Sequence, residues 1–179
     1  VYLEALFADK PASSFHLDPK TFVVTNSLTK AFGLSGIRCG WVLADPELAD
    51  RMWHLADVFY GIPAHPAEQL GVIALDNLEK IAQRAKAILD TNRAVLNRFL
   101  DSRKNLDVVR NQYGTTVFPR LLKGSVDELH KILREKYETS FVPGSYFGQP
   151  QHFRLGLCGD TEMTAEGLRR LEQALNELS

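Results

Sequence analysis

Short β-branched runs alternate with long stripes of helical period along this chain, and the two rhythms predict its elements. TFVVT over residues 21–25 follows Asp18-Pro19 and reads as a buried strand, and CGWVLA over 39–44 reads as a second strand. Between them runs a glycine-bearing loop with Ser27, Lys30, Gly33, Gly36 and Arg38. After it, Pro46 suits a first helical position, and Leu48, Met52, Leu55 and Phe59 form a helical stripe that ends at YGIPAHP. From Pro66 to about Leu100 helical spacing is kept by Leu70, Ile73, Ala74, Leu78, Ile81, Ala85, Ile88, Leu89, Leu96 and Phe99. That stretch is one very long helix or two set end to end.

Beyond DSRKN the pattern turns compact and mixed. LDVVR and TTVFPRLL read as strands, and a helix follows. Ser125 with Glu128 three positions on fits a capping box, with Val126, Leu129, Ile132 and Leu133 as the buried face. In the last helix Thr164 is the expected N-cap, Met163 and Leu168 have the spacing of a hydrophobic staple, and Leu168, Leu171, Ala174, Leu175 and Leu178 mark the inner stripe. Between those helices, HFRLGLCGD alternates strictly. Phe153, Leu155 and Leu157 share one face, while Arg154, Gly156 and Cys158 share the other. Arg154 therefore leaves the core side, either as a plain surface arginine or as a guanidinium that a ligand approaches beside a glycine.

Composition narrows the partners. A chain of 179 residues, 45% hydrophobic and 24% charged, has the make-up of a folded domain with a substantial core. Its 21 basic and 22 acidic residues balance, so it carries no electrostatic footprint for nucleic acid or an anionic membrane, and the basic residues from Arg84 to Lys104 read as a solvated helix surface. No apolar run approaches the roughly 20 residues that span a bilayer. Cys39 and Cys158 match neither a disulfide framework nor a metal motif, so both are expected as core thiols in a reducing, cytoplasmic setting. The five histidines show no metal-ligand spacing.

The loop after the first strand carries the candidate chemistry. A hydroxyl, an ammonium and a guanidinium beside glycines suit a phosphate, and they equally suit a tight turn with two solvated cations. Neither GxxxxGK[ST] nor a GxGxxG following a strand is present.

The ordered pattern SLTKAFGLSGIRCG, from Ser27 to Gly40, resembles the cofactor-lysine motif of fold type I pyridoxal-phosphate enzymes, the class I/II aminotransferases. VY at the start resembles the end of that family's Asp-Glu-Val-Tyr stretch, VPGSYFG its Pro-Gly-x-x-Phe-Gly turn, and FRLGL its C-terminal arginine strand. The resemblance spans the whole chain and corresponds to the second half of the family's usual length. It implies an α/β fold in three parts: the last strands of a large cofactor-binding domain (1–65), a long interdomain helix (66–101) and a small α/β C-terminal domain (102–179). It further implies that Lys30 forms the Schiff base with pyridoxal 5'-phosphate, that Ser27 and Arg38 hold the cofactor phosphate, that Tyr2 donates to the ring hydroxyl, and that Arg154 receives the substrate carboxylate.

Such a lysine is expected to be desolvated near other cations, which makes its amine a nucleophile. The implied activity is amino-group transfer between an amino acid and a 2-oxo acid, in a homodimer. Two alternatives share the constellation: an aminotransferase-like effector domain of a transcription regulator, and a related pyridoxal-phosphate decarboxylase or lyase. The aspartate that pairs with the ring nitrogen is expected just before Tyr2, outside this sequence, so these residues alone are expected to be inactive.

Overall fold

The computed structural model describes residues 17–59 and 61–178. The chain divides into two compact units, Val1–Ala85 and Lys86–Ser179.

In the first unit, β1 (Val24–Ser27) pairs antiparallel with β2 (Gly40–Leu43), from Val24 opposite Leu43 to Ser27 opposite Gly40. The first strand begins three residues later than its β-branched run predicts. Asp18 explains the shift, because its carbonyl accepts from the N–H groups of Thr21 and Phe22 at 3.1 and 3.0 Å and holds that segment in a turn. Phe22 and Val23 are exposed as a result.

Helix α1 (Pro46–Phe59) forms where its stripe predicts, yet none of its residues is buried: Leu48, Leu55 and Phe59 are exposed, as is Trp53. The long helical stretch proves to be two helices, α2 (His65–Asp76) and α3 (Leu78–Asp101). The break is at Asn77, whose side chain donates to the Ile73 carbonyl at 2.9 Å while its backbone N–H caps the end of α2. This is the local competition that makes asparagine a poor interior helix residue. The core of the unit is Leu28, Ala31 and Phe32 packed with Ala74 of α2, and with Trp41, Leu78, Ile81 and Ala82 partly buried against them.

In the second unit β3 (Leu106–Asp107) pairs with β5 (Arg120–Leu121), and β7 (Phe153–Gly156) lies between β4 (Thr116–Val117) and β6 (Val142–Pro143), all antiparallel. TTVFPRLL is thus two short strands, interrupted at Pro119, which has no N–H for a ladder. LDVVR is paired only at its first two residues, and Val109 is exposed.

Helix α4 (Val126–Tyr137) starts as expected, with Ser125 Oγ accepting from the Glu128 N–H at 3.3 Å. Helix α5 (Thr161–Glu177) starts earlier than Thr164 predicts. Asp160 is its N-cap, accepting from Glu162 and Met163 N–H at 2.8 and 3.2 Å; a carboxylate there also meets the positive end of the helix dipole. Met163 is left exposed, so the staple with Leu168 does not form.

One buried polar residue ties α3 to the sheet. Asn92 is 0% exposed in the stripe Leu89–Asn92–Leu96, and its amide donates to the carbonyls of Leu157 and Gly159, both at 2.8 Å. Those carbonyls lie just past β7. Replacing Asn92 by Leu strips both of their donors, at a cost of about 1–3 kcal/mol in the buried setting. Urea unfolding of Asn92→Leu should show that loss, and a change below about 0.5 kcal/mol, the range of ordinary surface substitutions, would refute the tie.

Candidate cofactor loop and arginine strand

The segment from Ser27 to Gly40 is held at both ends by one ladder. Ser27 stands opposite Gly40, and the Leu28 N–H donates to the Cys39 carbonyl at 3.0 Å. A Cβ on Gly40 would lie 3.1 Å from the Asn26 carbonyl oxygen and 3.2 Å from Ser27 Cβ, so glycine permits the close approach of the two strands.

Inside the loop, Leu28 (0% exposed), Ala31 (3%) and Phe32 (6%) turn into the core. Lys30, between them, is exposed, and its side chain has no hydrogen-bond or ion-pair partner among the described residues. Burial of its neighbours aims it outward. The loop closes through Gly33, whose N–H donates to the Lys30 carbonyl at 3.0 Å with φ at 72°, and through the Leu34 N–H donating to the Leu28 carbonyl at 3.0 Å. The expectation of a desolvated lysine is therefore not met within the described residues, since no element among them covers Lys30.

Arg38 follows a single 3-10 turn at Ser35–Ile37 and adopts φ 52°, ψ 33°. A left-handed arginine is uncommon and costs on the order of 1 kcal/mol, so it persists because the ladder fixes the residues that follow. The exposed guanidinium donates through Nη1 to the Ser35 carbonyl at 3.3 Å and makes no ion pair among the described residues. Ser27 Oγ accepts from the Thr29 N–H at 3.3 Å, and its hydroxyl hydrogen has no acceptor among the described residues. Tyr2 lies outside the described residues.

In the second unit Arg154 sits on the central strand β7, opposite Val142, and is exposed, while Phe153 and Leu157 are buried as the alternation predicts. Its guanidinium has no carboxylate or hydrogen-bond partner among the described residues. Its Cζ lies over the Phe147 ring, 5.0 Å from the centroid. A hollow of about 280 Å³, lined in part by Arg154, Gly156, Ser140, Met163 and Gly167, opens beside the strand.

Cys158 shares the outward face and is exposed, which corrects the expectation of a core thiol. Cys39 is half-buried, and a Cβ on Gly71 of α2 would come within 3.3 Å of its Sγ. Phe147 and Asn92 escaped the reading of the sequence. The signal for Asn92 was a polar residue at a core position of a helical stripe; Phe147 lay inside a turn motif already noticed.

Comparison with known proteins gives the family and the fold. The family model for aminotransferase class I and II matches residues 2–171, and the chain belongs to that family. The Aquifex aeolicus protein named "Probable aspartate/prephenate aminotransferase" is 28% identical over 99% of this chain and 47% of its own length. The aspartate aminotransferase of Sulfolobus acidocaldarius is 26% identical over 90% of this chain and 42% of its own length. Among solved structures, a PLP-dependent aminotransferase from Streptococcus suis superposes with a TM-score of 0.91 at 24% identity, over 100% of this chain and 48% of that one. The fold is therefore that of fold type I pyridoxal-phosphate aminotransferases, and the chain spans about half the length of the curated relatives it matches.

The turn that carries Phe147 is built on Gly144. A Cβ there would fall 2.2 Å from the Gln149 carbonyl oxygen and 2.4 Å from that of His152, both backbone atoms that cannot step aside. Gly144→Ala should therefore destabilise the second unit by about 1–3 kcal/mol, the usual cost of overpacking. Thermal unfolding beside Gly167→Ala, at a helical glycine whose added Cβ meets nothing within 4 Å, checks this. Equal midpoints would refute it.

Proposed function

We propose that this chain supplies the cofactor lysine and the carboxylate-binding arginine of an aminotransferase that moves an amino group between an amino acid and a 2-oxo acid. The observation that carries the reading is Lys30, driven outward by three buried neighbours in a loop that begins at Ser27 and ends at Arg38. The donor set fits pyridoxal phosphate: a primary amine without a partner among the described residues for its aldehyde, and a hydroxyl with a fork of guanidinium N–H groups for its phosphate. When bound, the cofactor supplies an electron sink for charge that develops at the substrate α-carbon.

The chain's own residues do the rest. Lys30 offers its amine as nucleophile and afterwards carries the proton at Nζ. Ser27 and Arg38 anchor the phosphate, and the left-handed backbone of Arg38 sets the direction of its side chain. Arg154, with its donors unengaged among the described residues, takes the substrate carboxylate as a bidentate partner. Tyr2 donates to the ring hydroxyl. The same reading makes the holoenzyme a cytoplasmic homodimer. Neither Cys39 nor Cys158 forms a disulfide, and the exposed apolar residues Trp53, Leu55, Val58 and Phe59 of α1 offer a surface that protein covers in a larger assembly.

Borohydride treatment of the holoenzyme, followed by peptide mapping, should fix the cofactor on the peptide that carries Lys30, and Lys30→Ala should abolish the label and lower kcat by about 10²–10⁴-fold. Label on another lysine would sink the assignment. Arg154→Leu should raise KM for amino acids and lower kcat/KM by a factor worth roughly 2–5 kcal/mol, as for a lost charge partner. An unchanged kcat/KM would refute its role.

A further inference from the structure

An arginine that must receive a carboxylate meets a conflict. It has to be held still, yet the group that most readily holds an arginine is another carboxylate, which would occupy the same N–H pairs. Elsewhere in this unit arginines are held in that way: Arg169 and Arg170 both donate to Glu166, Arg110 to Asp101, and Arg103 to Glu172. Arg154 has no such partner among the described residues; what it has is the Phe147 ring under its Cζ. A ring attracts the cation through its quadrupole and engages none of the N–H pairs as a carboxylate would.

The ring is itself fixed. Phe147 meets Phe118 edge-on, with centroids 5.7 Å apart and planes at 88°. Phe118 in turn stacks on His152 at 4.9 Å and 17°. His152 immediately precedes β7 and Arg154 lies on it, so the aromatic series runs from the ring beside Arg154 back to the start of the same strand. The turn beneath is tight: the Gly144 N–H donates to the His152 carbonyl at 2.7 Å, and Gly148 closes it at φ 69°.

We propose that Phe147 is the positioning residue of Arg154, fixing the direction of the guanidinium while leaving its hydrogen-bonding fork open to a substrate carboxylate. This rests on the reading of Arg154 given above. Phe147 is 47% exposed, so its replacement leaves the core intact.

The test uses the holoenzyme that contains this chain, with the best amino donor from a panel of the common amino acids. Phe147→Leu should raise the donor KM by about three- to tenfold, the span of an exposed to partly desolvated cation–π contact, with kcat changed less than about twofold. Phe147→Tyr, which keeps the ring, should restore KM to within about twofold of the parent. In an Arg154→Leu background, Phe147→Leu should have no further effect, because the two residues act as one. Leu and Tyr variants with equal KM, or additive effects of Phe147→Leu and Arg154→Leu, would overturn the proposal and leave Arg154 in its role. An Arg154→Leu enzyme with unchanged KM would instead overturn the role of Arg154, and the proposal with it.

Discussion

The antiparallel pairing of Ser27 with Gly40 is the constraint on which the loop from Ser27 to Arg38 depends. It fixes both ends of a segment too short to relax and too apolar to float, because Leu28, Ala31 and Phe32 find their place only in the core formed with α2. Once those side chains point inward, Lys30 has one direction left. The same pairing brings Arg38 to the loop exit in a conformation that an arginine rarely takes, and holds it there. Hydrophobic burial thus does the positioning, and among the described residues Lys30 keeps its donors uncommitted while Arg38 spends only Nη1, on the Ser35 carbonyl.

The second unit solves a parallel problem with other means. β7 is the middle strand of its sheet, so its backbone is paired on both edges and its register cannot slip without turning Arg154 into the core. Asn92 secures the strand's exit through the carbonyls of Leu157 and Gly159, and the aromatic series from His152 through Phe118 to Phe147 supports the guanidinium. A charged side chain on a rigid strand, beside a ring instead of a carboxylate, is kept in place at little cost to its capacity for a ligand.

Much of this was legible in residue order. Period-2 alternation put Arg154 outward and Phe153 and Leu157 inward, and the Ser125 cap was readable because its partner lies three residues away. What failed to read were outcomes of competition. Asp160 takes the helix start from Thr164 because a carboxylate reaches two N–H groups at once. Asn77 splits a helical stripe that apolar spacing alone makes continuous. Pro119 divides a β-branched run, and the turn at Asp18 delays another. The stripe of α1 was real as a period and misleading as burial, since a sequence states which face is apolar and not what covers it. Phe147 illustrates the same limit, because its partner Arg154 is close only after the turn folds back on β7.

On the proposed function, the β1–β2 ladder presents one amine, one hydroxyl and one guanidinium to a single phosphate-bearing aldehyde. A crystal structure of the holoenzyme loaded with pyridoxal 5'-phosphate tests it most directly. The expected result is continuous density from Lys30 Nζ to the cofactor, with phosphate oxygens within hydrogen-bond distance of both Ser27 Oγ and the Arg38 guanidinium. A cofactor phosphate seated away from Ser27 and Arg38, or density joined to a different lysine, would contradict it.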